Sequence, residues 1–251
     1  MIKYWTKLTS LEVDTLDRSN TIVVLPVGST EQHGSHLPLE TDTKIVEKIV
    51  KEAAVSIQNE LTILILPAVW VGYSPHHMDF AGSITLNTET YINVIYEICQ
   101  SVIHHGFRKV VIINGHGGNI NHVKVAVAKI GEKTDSYVLA SSYFELIQEE
   151  IQKYTQEKTI GHAGEAETSL QLYLSPDLVN ENEVATAKEI KENDFLPPSS
   201  YLFQNFSALT KKGYLGQPRR GNKELGKILF NTAVKKVADL FLDFNKQINN
   251  H

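Results

Sequence analysis

The chain has 251 residues, of which 42% are apolar and 21% charged, and its formal net charge is −5. This is an ordinary globular composition and enough chain for a single domain over residues 1–251. The acidic balance argues against nucleic acid as a partner, because phosphate binding needs a basic footprint and Arg219-Arg220 is the only arginine pair.

A single cysteine, Cys99, leaves no intrachain disulfide, and the first residues lack the apolar stretch of a secretory signal. The longest apolar run, from Leu61 to Trp70, is broken by Thr62 and Pro67. It falls short of the about 20 apolar residues that span a bilayer. A soluble cytoplasmic protein without a membrane partner is therefore expected.

In chain order, Thr21–Val27, Leu61–Val69, Lys109–Asn114 and Ser136–Ala140 are short, β-branched and almost continuously apolar. Buried strands of a parallel sheet have this character. Between them, apolar residues recur at helical spacing over Thr43–Gln58, Glu89–His105 and His122–Gly131, with Gly106 and Gly131 at the stops. A short helix is expected over Leu170–Leu174 and a closing one over Asn222–Ile248, with Leu225, Leu229, Val234, Val237 and Phe241 inward. The stretch from about Thr186 to Gly221, with Pro197-Pro198, Gly213, Gly216 and Pro218, reads as a long ordered excursion, a candidate lid or subunit contact. Alternation of strand and helix predicts a single-domain, three-layer α/β/α fold with a mostly parallel sheet.

Three segments carry chemistry. After the first long strand come Glu31, His33, His36 and Asp42. Imidazoles and carboxylates clustered where a strand becomes a loop suit a divalent metal, and open α/β sheets bind ligands at the carboxyl ends of their strands. Next is Asn114-Gly115-His116-Gly117-Gly118-Asn119, again between strand and helix. It is not a dinucleotide fingerprint, because Ile120 stands where the third glycine belongs, and it lacks the Gly-Lys-Ser/Thr of a phosphate loop. His116 points to metal ligation instead. The third is Gly161-His162-Ala163-Gly164-Glu165-Ala166-Glu167-Thr168-Ser169. Here His162 is a candidate proton carrier, and Glu165 or Glu167 could complete a metal shell. Acids at a helix N-terminus are also favoured by the dipole alone.

Together with Tyr73–Gly82, these segments closely resemble the signatures of the creatininase (creatinine amidohydrolase) family, above all Pro26–Leu39 followed by Thr41-Asp42. The resemblance runs from roughly Trp5 to Lys227. It implies an α/β amidohydrolase with two divalent metal ions per subunit, zinc first and manganese or iron as alternatives. It also implies a small-molecule substrate and a homo-oligomer, often a hexamer. By matching position Glu31, His33, Asp42 and His116 look like metal ligands, with Asp42 bridging, and His162 like the proton-transferring histidine.

Creatinine-hydrolysing members have Gly-His-Tyr-Glu-Asn at the second signature, and its glutamate is a ligand. Gly118 stands there in this chain, so Glu165 is expected as the replacement, ahead of Glu167. The same departure argues against creatinine as the substrate. Ser74 and His77 are expected to touch substrate; for Trp70 and Tyr73, an apolar wall and plain core packing are equally good readings. His36 is ambiguous between ligand and support, and His122 is expected on a helix surface. The favoured reaction is hydrolysis of a C–N bond in a small cyclic amide or formamide. Ring opening of a keto-inositol and processing of a peptide-derived cofactor precursor are the enzymatic alternatives. A metal-binding structural protein is the non-enzymatic one.

Overall fold

The computed structural model describes residues 2–157, 159–190 and 202–250. Its five strands are β1 (Ile2–Tyr4), β2 (Thr21–Val27), β3 (Thr62–Ile65), β4 (Lys109–Asn114) and β5 (Tyr137–Ser142). The helices in chain order are α1 (Ser10–Asp14), α2 (Thr41–Ser56), α3 (Thr88–His104), α4 (Ile120–Gly131), α5 (Tyr143–Leu146), α6 (Gln148–Tyr154), α7 (Glu165–Leu174), α8 (Glu181–Thr186), α9 (Phe206–Leu209) and α10 (Lys223–Asn249). The strands pair in the order β1-β3-β2-β4-β5, and every pairing is parallel.

The central strands are apolar on both faces because both faces are covered. In β2, Ile22 and Val24 enter one core with Val111 and Ile113 of β4, while Val23, Leu25 and Val27 enter the other with Val110 and Ile112. The first core is closed by α2, α7 and α10, the second by α3 and α4. This is the three-layer α/β/α arrangement expected from the strand–helix alternation. α10 buries Leu225, Leu229, Val237 and Phe241 as its spacing predicts, and Val234 packs against the same core half-buried.

Two expected strands shift at their ends, β3 and β5, the latter running on to Ser142. β3 stops at Ile65, before Pro67, and Val69 returns only as an isolated bridge to Val27. β1 was not foreseen, since three residues show too little periodicity to register. Pro197-Pro198 of the expected excursion lie outside the described residues. Among the described residues no helix is long and apolar enough to cross a membrane.

The strand order positions the site. The chain leaves β2 through α2 towards β3 on one side, and leaves β4 through α4 towards β5 on the other. The gap at the carboxyl ends of β2 and β4 is thus a topological switch point, where open α/β sheets form their ligand crevice.

Candidate metal centre

The loop after β2 carries Glu31 and His33 and returns to place Asp42 in the first turn of α2. The return is close: Thr43 Oγ1 donates to Ser29 O at 3.0 Å, and a Cβ at Gly28 would overlap Thr43. His116 arrives from the neighbouring strand, held by its own N–H on Asn114 Oδ1 at 3.1 Å. His162 and Glu167 arrive from the turn into α7. Glu31, His33, Asp42, His116 and Glu167 are all essentially buried.

Their ligand atoms form overlapping groups, each within 4.8 Å: Glu31–Asp42–His116, His33–Asp42–Glu167 and Glu31–His33–His162. Asp42 belongs to the first two. Its Oδ1 lies 3.1 Å from His33 Nε2 and its Oδ2 3.0 Å from His116 Nδ1. Glu167 Oε2 lies 3.8 Å from His33 Nε2.

The tautomers are set from outside. His33 Nδ1 donates to Glu31 O at 3.1 Å, His116 Nε2 to Tyr73 O at 3.2 Å and His162 Nε2 to Gln32 O at 2.8 Å. In each ring the other nitrogen faces a carboxylate oxygen. Lone pairs facing lone pairs repel unless positive charge sits between them, and a metal-ligating imidazole usually donates its other N–H to a carbonyl or carboxylate, as these do. Glu31 Oε1 and Asp42 Oδ2 are buried without a well-formed hydrogen bond.

Proton affinities report the same demand for cation. Burial opposes charge on His33 and His116, yet Asp42 and its neighbours raise His33 to about 10, and Glu31 with Asp42 raises His116 to about 9. Burial raises Glu31, and it raises Glu167 to about 8. Asp42 is held low by His33 and His116 despite its burial. Nitrogen and carboxylate donors in this number fit divalent cations of the zinc or manganese type.

Of the two glutamates, Glu167 and not Glu165 faces the cluster. Glu165 turns away from the cluster: its Oε2 accepts Gln156 N–H at 2.9 Å and faces Arg220 Nε at 3.6 Å. Glu167, two residues on, points inward and also accepts Ala163 N–H. Position 118 cannot supply a carboxylate, because a Cβ there would meet Tyr73 O, lie 2.5 Å from His116 Nε2 and lie 3.1 Å from His76 Cε1.

Ser74 and His77 are embedded in the cluster rather than set at its mouth. Ser74 Oγ lies 2.8 Å from Ser29 Oγ and 3.2 Å from His116 Nε2, and His77 Nε2 lies 3.3 Å from Glu31 Oε1. His36 supports from behind, with Nε2 at 3.0 Å from Ala163 O. Trp70 is 53% exposed and so is not core, whereas Tyr73 packs against the second core and stacks on His122 at 3.9 Å. His122 is therefore not a bare surface residue.

Sequence reasoning missed Gln32, whose Nε2 donates to His77 Nδ1 at 2.8 Å while its carbonyl orients His162. It also missed Phe206, whose ring lies 4.5 Å from His77 and 4.7 Å from His162. A glutamine inside a histidine-rich loop and a phenylalanine far along the chain carry no local signal of either role.

The family model described as creatinine amidohydrolase matches residues 6–241. A mycofactocin precursor peptide peptidase of Mycobacterium tuberculosis is 31% identical over 227 residues, covering 86% of this chain and 84% of that protein. A creatinine amidohydrolase of Pseudomonas putida is 26% identical over 235 residues, covering 87% of each. A solved creatininase variant of Zn-Zn type superposes with a TM-score of 0.77 at 25% identity, covering 96% of this chain and 97% of that one. With a matching family model over nearly its whole length, and with that family's fold, the chain belongs to the creatininase family.

Proposed function

We propose that this creatininase-family hydrolase cleaves a C–N bond of a small cyclic amide or formamide. In this reading Glu31, His33, Asp42, His116 and Glu167 hold two divalent ions, and His162 carries the proton. The observation that supports it most is the pair of donor groups sharing Asp42, with imidazole nitrogens facing carboxylate oxygens. Zinc is the first choice for these donors, manganese or iron the next. Bound divalent ions supply a water of lowered pKa and polarise a carbonyl oxygen.

The chain's own residues do the rest. Gln32 O fixes the Nε2–H tautomer of His162, leaving Nδ1 free 3.7 Å from Glu31 Oε1. Burial, with His33 and His77 nearby, holds His162 well below its ordinary value, so it is neutral and able to accept a proton. The same proton can then pass to a leaving nitrogen. Gln32, Ser74 and His77 keep Glu31 and His162 in register from behind, and Phe206 forms an apolar roof that limits water. His76, half-buried, stacks beside His116 with ring centroids 6.0 Å apart.

A second reading is cleavage of a peptide-derived substrate, favoured by the 31% identity to a protein named as a precursor peptide peptidase. A panel of cyclic amides, formamides, lactams, cyclic ketones and short peptides, offered to zinc-replete and chelated protein, separates the two. Metal-dependent turnover confined to peptides would overturn the small-amide reading. Assembly as a homo-oligomer belongs to the same proposal, supported by exposed Leu39, Trp70 and Ile84 on neighbouring segments. Sedimentation of the intact protein tests it.

A further inference from the structure

His162 stands in the turn 161–164, which contains Ala163 in the left-handed region at φ 49°, and Glu167 follows in the first turn of α7. Such a turn does not hold itself. On one side it is tied by a bridge in which Leu215 N donates to His162 O at 2.9 Å. On the other side stands the start of α7, whose N-cap residue, Gly164, has no side chain with which to cap the helix. The missing cap comes from a residue before the turn. Glu157 Oε1 accepts Glu165 N–H at 2.6 Å and Gln217 N–H at 3.0 Å, and its Oε2 accepts Ala166 N–H at 3.2 Å. One carboxylate thereby satisfies two orphan donors of α7 and joins the helix to the loop that follows Leu215.

The surroundings are built around that carboxylate. A Cβ at Gly164 or at Gly216 would overlap Glu157 Oε1. Glu165 returns the contact by accepting Gln156 N–H at 2.9 Å, which accounts for its turn away from the cluster. Burial pushes the Glu157 carboxyl up to about 7 against the pull of its three N–H partners.

We infer that Glu157 is a positioning residue that sets where His162 and Glu167 stand in the metal centre by clamping the N-terminus of α7 to the 215–217 loop. This rests on the ligand set proposed above. A glutamine at 157 can still offer one oxygen to Glu165 and Gln217 but presents an amide to Ala166 N–H, so the clamp loosens while the fold is kept.

The test uses the full chain as Glu157→Gln and the milder Glu157→Asp, with Glu165→Gln as a comparison. Two measurements are made: hydrogen exchange by mass spectrometry without added metal, and zinc bound per chain by elemental analysis across a zinc titration. Exchange in Glu157→Gln is expected to accelerate at least about tenfold in peptides covering 159–170 and 213–217 and to stay unchanged elsewhere. One of two zinc ions is expected to bind more weakly, by up to about the 10- to 100-fold that follows loss of a group bonded directly to a ligand. Glu157→Asp should fall between. Unchanged exchange in those peptides overturns the inference, as does acceleration spread over the whole chain, which would mark general support only. If the unmodified protein takes up no zinc, the metal reading fails, and the exchange result alone decides the role of Glu157.

Discussion

Glu167→Gln is the substitution that most directly probes the metal centre. The change is nearly isosteric, and the amide oxygen can keep the Ala163 N–H bond. In metal-free protein burial already raises Glu167 to about 8, so a neutral side chain there resembles the protonated acid present at pH 7. The metal-free melting temperature should therefore hardly move. What the variant loses is the anionic donor beside His33 and Asp42. With free zinc at about 1,000 times Kd, one site contributes about 4.1 kcal/mol of stability; a site weakened about 100-fold contributes about 1.4 kcal/mol at the same zinc. The difference of about 2.7 kcal/mol corresponds to about 5–11 °C of zinc-induced shift in a chain of this size. Scanning calorimetry with and without zinc, paired with elemental analysis, reads both quantities. Glu165→Gln should lose about 0.5–1.5 kcal/mol from its bonds to Gln156 and Arg220 but keep the full zinc shift. A retained zinc shift in Glu167→Gln with its loss in Glu165→Gln would refute the assignment.

His162→Ala should keep both ions while hydrolysis of any substrate found in the panel falls about 10²- to 10⁴-fold; loss of an ion would make His162 a ligand, and unchanged turnover would remove it from proton transfer. Gly118→Ala should cost about 1–3 kcal/mol by overpacking against Tyr73 O and His116, visible as a lower melting temperature and weaker zinc uptake. His36 gives the pH prediction. Burial lowers it to about 4 from an ordinary 6.5, so the folded state binds fewer protons than the unfolded chain across that window. Its contribution is fully present above pH 6.5 and is lost as the pH falls to about 4, up to about 3 kcal/mol in metal-free protein. Denaturant unfolding of His36→Gln should show a flatter acid limb than the unmodified chain, and equal limbs would contradict it.

The sequence by itself determined what depends on local pattern. β2 and β4 match the expected strands residue for residue, because a short, β-branched run apolar on both faces suits a strand covered on both sides. α2, α3, α4 and α10 lie within two residues of their expected ends, since each has one apolar stripe. Glu31, His33, Asp42, His116 and His162 stand out because histidine and acid crowd into glycine-flanked loops after strands. Only the tertiary structure shows which of Glu165 and Glu167 faces the cluster. Two residues apart on a helix, their side chains point about 200° apart, so just one can face the cluster. Which one does is fixed by the Gly161–Gly164 turn, by Glu157, and by the close seating of α7 on α10, where a Cβ at Gly226 would overlap Ser169 O. The α10 contact lies outside any local sequence window, and neither the backbone angles of the turn nor the bonds of Glu157 can be read from residue type alone. The same reason hides Gln32 and Phe206, whose partners are set by the folding of distant segments onto one strand end.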